Sequence, residues 1–145
     1  MTEILTLKQL NTIDIFLKQS ASNSSLMIII EDNIKRKMVL DYICAKKDWT
    51  VINALDLISD ILNHMLVNKL PELKVAISKL PTLIIDDFDC FKCDELLQYH
   101  FVNIVNEYKG IIILSLKNKT VFSSGIKQII DNSIKITLLR NRDEK

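Results

Sequence analysis

Three short runs, "LMIII" at Leu26 to Ile30, "TLIID" at Thr82 to Asp86 and "GIIILSL" at Gly110 to Leu116, are apolar at nearly every position. A strand with one wet face alternates apolar and polar residues, so runs without alternation belong to strands covered on both faces. Two weaker runs, "TVINA" at Thr50 to Ala54 and "SIKITLL" at Ser133 to Leu139, bring the set to five. Helical spacing fills the intervals. Lys35 to Lys47 places Met38, Val39, Tyr42 and Ile43 on one face, and Leu55 to Val67 places Leu55, Ile58, Ile61, Leu62 and Met65 on one face. Asp94 to Tyr108 does the same with Leu97, Phe101, Ile104 and Val105, and Asp94 is placed to cap its start. Strands alternating with helices imply an α/β protein in three layers, α-β-α, around a five-stranded parallel sheet. Ligands of such sheets bind at the carboxyl ends of the strands, where "EDNIKRKM" and "DDFDCFKCDE" both fall.

A chain of 145 residues is about one domain long, and two glycines with two prolines leave no flexible linker to divide it. No apolar run approaches the roughly 18 residues of a membrane span, and "MTEILTLKQL" lacks a basic region followed by an apolar one, so a cytoplasmic protein is expected. Net charge is +1, too little to draw the chain onto nucleic acid or an acidic membrane. No direct sequence-specific nucleic-acid binding is expected. Cys44, Cys90 and Cys93 make an odd number without a signal sequence, which argues for reduced thiols.

Asp86 and Asp87 leave the tip of an apolar run together. In a nucleotide hydrolase such a pair orients magnesium and polarises the attacking water; otherwise it is a solvated strand end that caps the next helix. Cys90 and Cys93 form a C-x-x-C, but no second pair with metal spacing exists, and Cys44, His64 and His100 lie in separate helical patterns. No metal site is expected. Lys35, Arg36 and Lys37 form a small basic cluster at the start of the first helical pattern, either a solvated face or a docking surface. Trp49 and the five phenylalanines do not interleave with basic residues and suit a core.

A strand running into a helix at "SLMIIIEDNIKRKM" is where a phosphate-binding glycine loop, G-x-x-x-x-G-K-[ST], would stand. With Glu31 on the first glycine, Arg36 takes the second, Lys37 the lysine and Met38 the hydroxyl residue, so only the lysine survives. From Thr50 onward the order of elements, the Asp86-Asp87 strand end and the following helix and strand resemble the AAA+ domain of the bacterial replication initiator DnaA and its regulatory paralogue Hda. "IDIFLKQSASN" is similar to that family's lead-in, and the resemblance covers about 120 residues. It implies a P-loop-NTPase-like sheet in the order 5-1-4-3-2, with Lys37 a vestigial phosphate-loop lysine, Asp86 and Asp87 a vestigial magnesium strand, and Ser115 near the sensor position.

Set against that family, the glycine loop is replaced, the helix between lead-in and first strand is largely absent because Asn23 almost abuts Leu26, and "GIKQIIDNSI" stands where an arginine pair is expected. The chain reaches Lys145 soon after the last strand, so a single domain over residues 1–145 without a helical lid is expected. Together these imply a non-catalytic pseudo-ATPase with no cofactor and no catalytic residues, acting as an interaction module in replication initiation. Its partner would be a replication AAA+ protein, such as an initiator or helicase loader, a sliding clamp, or another copy of itself, met through exposed Lys35, Arg36 and Lys37. The alternatives are a divergent nucleotide-binding ATPase using Lys37, Asp86 and Asp87, or a recombinase-paralogue subunit of a DNA repair complex.

Overall fold

The computed structural model describes residues 1, 3–19, 24–47 and 49–138. In chain order the elements are α1 (Leu7–Gln19), β1 (Ser25–Ile30), α2 (Asn33–Lys47), β2 (Val51–Asn53), α3 (Ala54–Leu66), α4 (Leu70–Ser78), β3 (Thr82–Asp86), α5 (Glu95–Val105), β4 (Ile111–Leu116), α6 (Ser124–Asp131) and β5 (Ile134–Leu138). A short 3-10 helix, Phe88–Cys93, joins β3 to α5. All four strand pairings are parallel, and the sheet order is β2-β3-β4-β1-β5, the expected order read from its other edge. Leu139, expected in the last strand, lies outside the described residues.

Two cores, one on each face, explain the unbroken apolar runs. Met27 and Ile29 of β1 face a core shared with α3, α4, α5 and α6, while Leu26, Ile28 and Ile30 face α1 and α2. Each buried isoleucine removes a full side chain from water, a gain of about 1.5–3 kcal/mol, so neither face of β1 tolerates a polar residue. Four of the five phenylalanines, Phe88, Phe91, Phe101 and Phe122, cluster in the first core with ring centroids 4.9–5.3 Å apart. Asp94 caps α5 as its position suggests, accepting the N–H groups of Leu96 and Leu97.

Two expected helix faces are rotated. In α3 the buried residues are Ala54, Leu57, Ile58 and Ile61, while Leu55 and Leu62 are exposed. Asn53 sets this phase, because its side chain caps the helix through the N–H of Leu55 immediately after β2. In α2, Met38 is exposed and the inward face is Arg36, Val39, Leu40 and Ile43. Among the described residues no helix is long and apolar enough to cross a membrane.

Candidate functional site

Only Glu31 and Asp32 separate the end of β1 from the start of α2. A phosphate loop needs a longer stretch whose N–H groups turn inward, and here a side chain of the chain itself caps the first turn of the helix. Asp32 accepts the Lys35 N–H through its carboxylate at 2.9 Å, and its carbonyl accepts the Arg36 N–H at 2.9 Å. The N–H of Glu31 donates to the Leu138 carbonyl of β5.

Arg36 defines the site. It stands three, four and seven residues before Val39, Leu40 and Ile43, which places it on the inward stripe of α2. Its side chain is 4% exposed. Nε donates to Asp86 Oδ1 at 3.0 Å, and Nη2 donates to Asp87 Oδ1 at 2.9 Å and to Asn33 Oδ1 at 3.0 Å. Nη1 donates to the Ile30 carbonyl at 3.0 Å. Four of the five guanidinium N–H groups are thereby used, each by a different acceptor group. The guanidinium bridges the ends of β1 and β3 and neutralises one of two adjacent carboxylates there.

Asp86 also accepts the Asp87 N–H at 2.9 Å. Asp87 adopts a left-handed backbone, φ 55° and ψ 37°, which turns the chain from β3 into the 3-10 helix. Such a conformation is costly for most side chains and milder for aspartate. The expectation that these acids simply cap the following helix is corrected: the Asp87 side chain makes no cap hydrogen bond, and both carboxylates are turned to Arg36. Ser115 is fully buried on β4, and its hydroxyl has no hydrogen-bond partner among the described residues. The register pairs Ile85 with Leu114, so one residue on, Asp86 and Ser115 share a rank and point to the face that carries Ile84 and Ile113.

Lys35 and Lys37 are exposed on either side of Arg36. The expected three-residue basic surface is therefore corrected to two lysines, with Arg36 withdrawn beneath them. Lys37, expected at the loop-lysine position, is exposed about 100° around the helix from Arg36, and no ion pair joins it to Asp86 or Asp87 among the described residues. Asp89 went unnoticed in the sequence. Its carboxylate accepts the N–H groups of Lys117 at 2.9 Å and Asn118 at 3.1 Å, with the Thr120 hydroxyl at 3.4 Å, and so clasps the loop after β4. The third acid of "DDFD" was its only signal. Cys44, Cys90 and Cys93 are free thiols, with burial pushing Cys44 and Cys90 above the usual thiol range. No group of three or more potential ligands stands close enough to hold a metal among the described residues.

A magnesium–nucleotide does not fit these residues as they stand. The position between β1 and the two carboxylates is taken by a cation of the chain itself, and the carboxylate of Asp32 already holds the Lys35 N–H in the first turn of α2.

The sheet, its order and its helix placement define a three-layer α-β-α fold around a five-stranded parallel sheet. The matches that carry this are solved structures of replication proteins. Domain III of the Thermotoga maritima initiator DnaA superposes with a TM-score of 0.76 at 15% identity, over 99% of this chain and 68% of that one. DnaA bound to AMPPCP and single-stranded DNA gives 0.70 at 17% identity, and the DnaC helicase loader gives 0.62 at 18% identity over 90% of this chain and 88% of the loader. The chain spans 45% of the length of that nucleotide-bound DnaA. No protein-family model matches the sequence, and no curated protein matches it either.

Proposed function

We propose that this chain is a non-catalytic AAA+-type domain that acts by binding another protein of replication initiation. The observation that carries the reading is Arg36, whose guanidinium stands at the strand ends with Asp86 and Asp87 as its counter-ions. Phosphoryl transfer depends on positioning and charge stabilisation around a bound phosphate and its metal, and here the acids that would serve it are engaged internally. Likeness to initiators and a helicase loader supports a partner from the same machinery, or a second copy of this chain. Exposed Lys35 and Lys37, beside Asp32, form a mixed-charge rim at the strand ends, and such rims act mainly on association rate and orientation.

Titration of the purified chain with ADP and ATP, each with magnesium, tests the first half: no heat of binding is expected up to millimolar concentration. Surface-immobilised initiator and helicase loader from the same source test the second. Binding to one of them, weakened in Lys35→Glu/Lys37→Glu without a fall in melting temperature, is expected. Micromolar ADP affinity would overturn the non-catalytic reading, and unchanged binding by the double variant would move the interface elsewhere.

A further inference from the structure

On the face of the sheet opposite Arg36, the helical cover is incomplete. α6 carries the chain from β4 past β1 to β5 with only eight residues, about 12 Å of helix at 1.5 Å per residue. The gap is a cavity of about 280 Å³. Its floor is the side chains of Met27, Ile29 and Leu116, and Ile130 of α6 forms a wall. The register sets Lys135 beside Met27, and Ile29 between Leu116 and Thr137, so an apolar floor meets a polar margin on β5. Lys119, from the loop that Asp89 clasps, lines the cavity as well.

Neither lysine has a carboxylate partner among the described residues. Lys135 Nζ reaches only the Ser133 carbonyl at 3.3 Å. No acid lines the cavity, and Asp89, in contact with the lining residue Thr120, is already engaged by two backbone N–H groups. Lys119 and Lys135 are exposed, and with no acid in the lining they give the rim of the apolar floor a positive potential. Small-molecule sites combine these features: mostly apolar lining, with a few polar groups that fix orientation.

We infer that this cavity binds a small amphipathic acid, its apolar body on Met27, Ile29 and Leu116 and its carboxylate met at the rim by the lysines, Lys119 and Lys135. The site is independent of the reading of Arg36, and it lies on the other face of the sheet. Octanoate below its micelle concentration is a suitable probe, with octylammonium carrying the opposite charge on the same tail and acetate carrying the charge without the tail. In the full ¹⁵N-labelled chain, octanoate should shift the amides of Lys119, Thr120 and Lys135 to Thr137 saturably, while acetate and octylammonium leave them in place. Lys119→Met/Lys135→Met should weaken octanoate by about tenfold or more, the loss expected for charge-assisted hydrogen bonds.

Absence of saturable shifts, an equal response to octylammonium, or unchanged affinity in the double variant would overturn the site. A lysine on an edge strand can also guard against pairing with another chain. Self-association of Lys135→Met with octanoate affinity intact would assign Lys135 that role instead and sink the proposal. Should the double variant fail to fold, the comparison of the three probes on the unmodified chain decides alone.

Discussion

Arg36 Nε stands 3.0 Å from Asp86 Oδ1, joining the first turn of α2 to the tip of β3 across fifty positions of sequence. The pair is the centre of a network in which a second carboxylate, a side-chain amide and a backbone carbonyl also accept from the guanidinium. Arg36→Ala would leave Asp86 and Asp87 facing each other. Breaking a buried pair costs about 3–5 kcal/mol, and the partial exposure of both acids reduces the expectation here to about 2–3 kcal/mol. Arg36→Lys keeps the charge but cannot supply the fork, so a loss of about 1–2 kcal/mol is expected. Urea denaturation of both variants checks the order.

The same substitution makes a second, sharper test. With the guanidinium removed, two adjacent carboxylates become available to a divalent cation. Magnesium or calcium at millimolar concentration should raise the melting temperature of Arg36→Ala and leave the unsubstituted protein unmoved. Equal response in both would mean that the acids are not the counter-ions of Arg36 in solution.

Asp89 should matter to the loop after β4 more than to the core. Asp89→Ala removes the acceptor of two backbone N–H groups and leaves them to water, a cost of about 1–3 kcal/mol. Amide hydrogen exchange at Lys117 and Asn118 should accelerate in the variant, while exchange in β1 changes only with global stability.

Much of the fold was legible because strands buried on both faces cannot hide in the pattern: Leu26 to Ile30 and Thr82 to Asp86 coincide with β1 and β3 to within one residue. The face of α3 was not. Apolar residues at 54, 55, 57, 58, 61, 62, 65 and 66 wrap most of that helix, so periodicity leaves its phase open and the Asn53 cap decides it. Arg36 was misplaced because its charge was weighed before its spacing. Its position relative to Val39, Leu40 and Ile43 was visible all along, but the acids that make burial tolerable come from β3 and its end. Asp89 depends on a loop that returns 28 residues later, which no local pattern encodes.

Alkaline stability should hinge on Tyr108. Its hydroxyl donates to the Leu80 carbonyl at 2.8 Å, and burial pushes its pKa from the usual 10 up to about 12. The neutral phenol is the form that folding favours. Its contribution is therefore fully present below pH 10 and is lost as pH rises from 10 towards 12, where the unfolded chain ionises first. Tyr108→Phe should flatten that part of the stability profile, measured by chemical denaturation at a series of pH values.

Gly110 supports the same contact from below. A Cβ there would collide with the Tyr108 hydroxyl and stand 2.7 Å from the Pro81 carbonyl. Gly110→Ala should destabilise by about 1–3 kcal/mol through overpacking. It should also bring the alkaline transition to lower pH, because a displaced Tyr108 regains water.

A ligand stabilises its host in proportion to the logarithm of its concentration, so a domain that needs one is tied to supply. Arg36 is attached to the backbone a few residues from the strand ends it neutralises, and no dilution can remove it. The counter-charge at the tips of β1 and β3 is consequently written into the sequence itself, delivered with the chain rather than recruited from solution.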